Sequence, residues 1–254
     1  MSQIELIEAD WPAPAGVRAF CSTRQGGYSE GAYTSLNLAQ HVDDRAAAVS
    51  QNRALLAASL GEEVGPCQWL QQVHGSAVVQ LPSPQPEPIA DACWTTQRAL
   101  PCAVLTADCL PVLFCDQSAT VVAAAHAGWR GLLDGVLEAT VSAMATDATE
   151  LLAWLGPAIG PAAFEVGPEL RAMFLARAKS SAEHSALAQC FRPAQREQHY
   201  LADLYALARI SLSRMGVQHI YGGEACTYSD SQRFFSYRRD GETGRMASVI
   251  ALLP

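Results

Sequence analysis

Lysine is nearly missing from this chain. Lys179 is the one lysine in 254 residues, and arginine supplies the rest of its 17 basic side chains. A guanidinium is a planar fork suited to phosphate and carboxylate, so the cationic chemistry on offer is of that kind. An excess of positive charge is missing too. The formal charge is −8, which argues against general nucleic-acid binding, because that needs a basic footprint. A small anion can still meet local arginines. No apolar run approaches the roughly eighteen residues of a membrane span. None of the eight cysteines forms a Cys-X-X-Cys pair, so a four-cysteine zinc module is not expected. The opening, MSQIELIEADWP, has early acids and neither a basic region nor a long apolar stretch. The expectation is a cytoplasmic protein whose cysteines are reduced, with Cys102 and Cys115 as core residues in apolar runs.

What is present is enough hydrophobic material, 50% of the chain, for one substantial core. Val17–Ser22 reads as a strand leading into a long Gly-, Ser- and Asn-rich loop. A helix follows, with Asp43 or Asp44 as its cap, apolar positions at Ala46, Val49, Leu55, Leu56 and Leu60, and Gly61 as its stop. Gln68–Val73 and Ala77–Leu81 read as short strands, and residues 82–88 as a proline-rich surface connection. Ala103–Thr106, Val112–Cys115 and Thr120–Ala125 are so apolar that they predict strands covered on both faces. Leu132–Ala145 predicts a helix, Leu151–Leu155 a buried strand, and Pro168–Ala178 and Ala202–Met215 further helices. Val217–Tyr221 and Ser248–Leu252 close the series as strands. There is no internal repeat and no regular βαβα alternation, so a layered mixed α/β domain is expected rather than a barrel.

Three residues carry the chemistry. His74 in QQVHGS, Cys109 in TADCLP and His126 in AAAHAGWRG each lie where an apolar run meets Gly, Pro or Asp. Side chains at strand ends can point into a cleft. Two imidazoles and a thiolate would make a three-ligand site with a fourth position open, the layout of catalytic rather than structural zinc. Copper and iron also accept such ligands. A lone His or Cys in apolar surroundings is more often structural, and spacing alone leaves open whether the three meet. Cys109 also reads as a nucleophile with His126 or His74 as its base, since thiolate ligand and thiolate nucleophile both need a lowered pKa. A fourth ligand from Cys93 or Cys226 would make the site a structural one.

Around this set stand candidate substrate contacts. Arg130 follows a Gly-flanked turn at a helix start, where backbone N–H groups attract anions. Arg24 and Asn37 lie in the N-terminal loop and Arg53 on the first helix. Arg238 and Arg239 belong to FFSYRRDGETGRM, where Phe234, Phe235 and Tyr237 offer ring faces for a base. Asp108 and Asp240 are candidates to orient a ligand histidine or to transfer a proton, and His41 follows the loop that holds Asn37.

Taken in order, STRQGGYSEGAYTSLNL, QNR, QVHG, DAC followed by WTT, TADCLPVLF, AAHAGWRGL, LGPAIGPAAFEVG, ACTYSD and FFSYRRDGETGRMA resemble the motifs of the YfiH-like family. That family is also known as laccase-domain proteins, multicopper polyphenol oxidases, and purine nucleoside phosphorylases of this fold. The likeness spans roughly residues 20 to 247 and implies one catalytic domain over 1–254. The implied fold is four-layered, α/β/β/α with mixed sheets, and is grouped with cysteine hydrolases. The likeness implies zinc, or less readily copper, on His74, Cys109 and His126. It also implies phosphorolysis of purine nucleosides, deamination of adenosine, and methylthioadenosine as a further substrate. Some bacterial relatives are instead described as peptidoglycan editing factors that remove a misplaced serine from a cell-wall precursor. The laccase name fits poorly as chemistry. A four-copper oxidase needs many imidazoles, usually in His-X-His pairs, and this chain has six histidines and no such pair. The expected partners are a nucleoside and phosphate, with no nucleic acid and no membrane, on a monomer or homodimer.

Overall fold

The structure, a computed structural model, describes residues 4–61 and 64–254. The first three residues of the expected domain therefore lie outside the described residues. In chain order the elements are β1 (Leu6–Glu8), β2 (Val17–Ser22), α1 (Ala46–Leu60), β3 (Val78–Gln80), β4 (Ala92–Thr95), β5 (Cys102–Thr106), β6 (Leu110–Asp116) and β7 (Val122–Ala127). Then come α2 (Trp129–Asp134), α3 (Val136–Ala143), β8 (Leu151–Leu155), β9 (Glu165–Val166), α4 (Pro168–Leu175) and α5 (Ser181–Gln189). The chain finishes with β10 (Phe191–Pro193), β11 (Tyr200–Ala202), α6 (Leu204–Arg214), β12 (His219–Gly222), α7 (Tyr237–Asp240) and β13 (Met246–Leu252).

Two sheets dominate. One has four strands in the order β1-β2-β13-β5, all antiparallel. The other has six in the order β12-β8-β6-β7-β4-β3, parallel at its two outer pairs and antiparallel between them. A small antiparallel sheet, β10-β11-β9, lies apart.

The period-two alternation of strand side chains sorts these residues into three cores. In β2, Phe20 packs with α1 residues Leu56 and Leu60, whereas its neighbours Ala19 and Cys21 face the other way. In β13, Val249 and Ala251 join Phe20, while Ile250 and Leu252 join Cys21. The middle core closes on the six-stranded sheet through Leu113, Cys115, Val122 and Ala124. The alternate residues of the same strands, Val112, Phe114, Ala123 and Ala125, meet Leu132, Leu137, Leu170 and Leu207 from the helices. The layers are thus α1, the four-stranded sheet, the six-stranded sheet and the remaining helices. Both sheets are covered on both faces, which is why strands such as β5, β6 and β8 are buried at every position and read as apolar runs.

Several local expectations need correction. The helix expected at Leu132–Ala145 starts at Trp129 and breaks at Gly135, whose φ of 89° caps α2 and opens α3. Neither Asp43 nor Asp44 caps α1, whose N-cap is Arg45 with no side-chain cap. The Asp44 carboxylate instead accepts from Ser29 Oγ at 2.6 Å and Asn37 Nδ2 at 2.9 Å, pinning the N-terminal loop. Gln68–Val73 forms no strand beyond one bridge, Gln71 to Ile89. There the Gln72 side-chain amide pairs with the backbone N–H and C=O of Leu105, both at 2.8 Å, in place of a strand neighbour. The helices expected at 168–178 and 202–215 are shorter, the second because Asp203 caps it by accepting from Ala206 N–H. Strand β4 and helix α5 fall in segments assigned no element from the sequence; Ser180 caps α5 by accepting from Glu183 N–H.

Candidate active site

The three proposed ligands converge. The ligand atoms of His74, Cys109 and His126 all lie within 4.8 Å of one another, and no other such cluster of His, Cys, Asp or Glu occurs among the described residues. His126 stands on β7 opposite Pro111 of β6. Cys109 directly precedes β6, and His74 sits in the QVHG loop. His126 shares its alternation with Val122 and Ala124, so its side chain emerges on the inter-sheet side near the end of β7. The two imidazole rings meet edge to face, centroids 4.8 Å apart.

Close backbone approach makes the convergence feasible. A Cβ on Gly128 would fall 2.9 Å from Cys109 Sγ and 3.2 Å from His74 Cδ2. A Cβ on Gly131 would press the Gly75 carbonyl oxygen at 2.8 Å. The glycines of HAGWRG therefore let the loop of His74 lie against the start of α2.

Asp91, ahead of β4, organises two of the ligands. Its carboxylate accepts backbone N–H bonds from Val73 at 3.2 Å, His74 at 2.9 Å and Gly75 at 2.7 Å. It also contacts His126 Nδ1 at 2.8 Å, which leaves Nε2 for the site. His74 adopts φ 62°, the left-handed region, and the three convergent N–H bonds hold it there. Burial pushes the Asp91 carboxyl upward, but the His126 ring and the N–H donors outweigh it and hold the group below its ordinary value. Asp91 had been legible only as part of the DAC motif, with no role. Asp108 and Asp240, the carboxylates nominated to orient a histidine, do other work. Asp108 accepts from Thr227 Oγ1 at 2.6 Å and Arg238 N–H at 2.7 Å, and Asp240 pairs with Arg239.

Burial raises the Cys109 thiol, yet His126 and His74 more than offset that and bring it to about 6. Burial lowers His126, but Cys109 and Asp91 lift it to about 9. Without a metal the pair is thus a thiolate and an imidazolium at neutral pH. The donor set itself, a low-pKa thiolate and two imidazoles, fits a zinc-type ion. Cys93 and Cys226 are not part of the cluster. Cys93 lies in the middle core, and Cys226 Sγ accepts from Gly160 N–H at 3.2 Å.

The ligands form part of the wall of a cavity of about 560 Å³. Its arginines are Arg130, Arg238 and Arg245, its rings are Trp129, Phe164 and Tyr237, and His41 completes this part of the wall. Burial, Arg245 and Arg53 lower the His41 pKa, in that order. Arg130 stacks over Trp129 at 4.3 Å and Arg238 over Phe164 at 5.3 Å.

Other nominated contacts do not line this cavity. Arg24 stacks on Phe235 at 4.5 Å and donates to the carbonyls of Thr34 and Ser231. Asn37 is fully buried and accepts from Arg245 N–H at 3.0 Å, so it acts behind the wall. Arg239 is consumed by the carbonyls of Thr227, Tyr228 and Phe234 and by Asp240. Arg53 belongs to an adjoining cavity. Phe234 and Phe235 are core residues with no exposure, so only Tyr237 of that trio can face a ligand. Arg245 belongs to the FFSYRRDGETGRM cluster, whereas Phe164 and His41 carried no contact role in the sequence; the three come from different segments, and only the fold assembles them.

The chain is similar to known proteins over nearly its whole length. Residues 18–253 match the family described as multi-copper polyphenol oxidoreductase laccase. The chain is 51% identical over 246 residues to a purine nucleoside phosphorylase of Pseudomonas aeruginosa, covering 97% of this chain and 98% of that one. It is also 51% identical over 251 residues to the purine nucleoside phosphorylase YfiH of Escherichia coli, covering 98% and 99%. Among solved structures, a Neisseria meningitidis protein superposes with a TM-score of 0.90 at 48% identity, covering 98% of this chain and 99% of that one.

Proposed function

This chain belongs to the YfiH-like multi-copper polyphenol oxidoreductase laccase family, and from that premise we propose that it is a zinc-dependent purine nucleoside phosphorylase. Adenosine deaminase and methylthioadenosine phosphorylase activities are part of the same proposal. The observation that carries it is a single cavity holding the His74–Cys109–His126 cluster together with three arginines. Relatives named purine nucleoside phosphorylase, alike over nearly their whole length, support the reading. A four-copper laccase is set aside, since the described residues offer one three-ligand cluster.

Zinc on His74, Cys109 and His126 would supply a Lewis acid that lowers the pKa of water reaching it. The chain's own residues do the rest. Asp91 holds His126 by Nδ1 and fixes the backbone of His74, so the ligand geometry is set before substrate arrives. Arg130, Arg238 and Arg245 are the phosphate contacts, whereas Arg24, named among the candidate substrate contacts, lies outside the wall. Tyr237 and Phe164 offer faces to the purine. In phosphorolysis a phosphate oxygen bonds to the anomeric carbon, the carbon–N9 bond breaks, and its electron pair leaves with the base, which takes up a proton. In deamination a water oxygen replaces the C6 amino group, which leaves as ammonia.

The test is incubation with adenosine, inosine and methylthioadenosine, with and without phosphate, following base and ammonia release. His74→Ala and Cys109→Ala are expected to abolish both reactions; an active, metal-free Cys109→Ala protein sinks the proposal. Arg130→Ala is expected to lose phosphorolysis and keep deamination. No turnover of any nucleoside would shift the reading to a cell-wall precursor.

One observation favours a second reading. Cys109, His126 and Asp91 line up as thiolate, imidazolium and carboxylate, the order of a cysteine hydrolase. Purified protein with under about a tenth of an equivalent of zinc, inactivated by alkylation, would decide for it.

A further inference from the structure

We propose that a second compartment, set beside the metal-ligand cavity across a shared wall, holds a phosphoryl group on Arg53; the proposal rests on the nucleoside reading for what lies beside that group.

The second compartment, about 370 Å³, shares His41, Gln72 and Leu105 with the wall of the first. The shared wall is fixed, because both polar atoms of the Gln72 amide are tied to the backbone of Leu105. Arg53 reaches the compartment from α1 in a held orientation. Its Nε donates to the Leu38 carbonyl at 2.9 Å, and its guanidinium carbon lies 4.3 Å over the Trp69 ring. These two contacts use one of its five donors and one face. Its terminal nitrogens donate to no acceptor among the described residues, and it joins no ion pair there. Burial disfavours its charge, and the carboxylate that favours it is the exposed Glu87, which lines the same compartment but forms no ion pair with Arg53 among the described residues.

A half-buried guanidinium, braced on a ring with its outer fork uncommitted, is complementary to an oxyanion bound by two parallel N–H bonds. The amides of Gln40 and Gln71 line the same space and offer further donors. Two sources could supply the phosphoryl oxygens: inorganic phosphate, or a phosphoryl group carried on the 5′ oxygen of the nucleoside. The first would make the compartment a store for the co-substrate. The second would make the preferred substrate a nucleotide lying across the wall formed by His41 and Gln72.

Calorimetric titration of wild type, Arg53→Gln and Glu87→Gln with inorganic phosphate, adenosine and adenosine 5′-monophosphate decides the matter without relying on turnover. If the phosphoryl is substrate-borne, wild type binds the monophosphate about tenfold more tightly than adenosine and Arg53→Gln loses that advantage. If it is free phosphate, the monophosphate has no advantage and Arg53→Gln weakens phosphate binding about tenfold. Glu87→Gln removes a carboxylate that lines the compartment and so tightens whichever anion binds. Arg53→Gln protein that binds both anions as wild type does overturns the proposal. Should Arg53→Gln fail to fold, Glu87→Gln decides, and unchanged anion affinity there overturns it. Because binding is read directly, absence of nucleoside turnover would sink the phosphorylase reading while leaving this result standing.

Discussion

At the scale of single residues, Asp91 governs more of the site than any ligand does. One carboxylate fixes the His126 ring and three successive N–H groups around His74. Asp91→Asn keeps an acceptor but removes the charge. Its expected cost is about 10–100-fold in metal affinity, measured by chelator competition. A second expectation concerns Cys109 in metal-free protein. With its thiol at about 6, alkylation should rise as pH climbs through that value and be nearly complete in rate at neutral pH. In metal-free His126→Ala the rise should move toward the ordinary thiol range; a midpoint unchanged in that variant would show that His126 does not stabilise the thiolate. Reactivity of Cys109 must be followed by peptide mapping, because seven other free cysteines are present. Residues of this kind were partly legible in the sequence. His74, Cys109 and His126 stood out because each breaks an apolar run beside Gly, Pro or Asp. Asp91 did not, because an acid before a strand carries no local mark of the two segments it serves. The setting of Arg24 is hidden in the sequence for a similar reason: its partners Phe235 and Ser231 come from the far end of the chain.

At the scale of elements, the fully buried strands were the most legible. Runs such as Cys102–Thr106 and Leu110–Asp116 are buried at every position, so hydrophobicity alone marked them. The break at Gly135 hid inside a helical pattern that continues on both sides of it. Separating α2 from α3 lets Trp129 and Arg130 join the cavity wall while Leu137 stays in the outer core. Leu137 is fully buried. Leu137→Ala should cost about 2–5 kcal/mol, read from urea denaturation, and leave metal content unchanged in the folded fraction. Loss of metal in folded Leu137→Ala protein would mean that α3 positions the ligands.

At the scale of the whole molecule, the ligands come from three segments that only the completed fold brings together. Metal should therefore bind the native state and not the unfolded chain, and so stabilise it. At free metal a thousandfold above the dissociation constant the gain is about 4 kcal/mol. Thermal melting with zinc and with chelator measures it; a transition temperature indifferent to metal would refute a site formed by folding. The layered architecture was readable because both faces of two sheets had to be covered. The composition of the cavity was not, since His41, Phe164 and Arg245 arrive from separate segments.

The alternation that sends Val122, Ala124 and His126 to one side of β7 and Ala123, Ala125 and Ala127 to the other makes the site depend on counting. Deleting one of the three alanines between Val122 and His126 removes no kind of residue from the strand yet turns the imidazole toward the helices. Adding one does the same. Two-residue changes restore the parity but shift His126 along β6 from its place opposite Pro111. Length variation among relatives should therefore be barred from Val122–His126 and gathered in stretches such as the exposed proline-rich connection, where no ligand depends on the count.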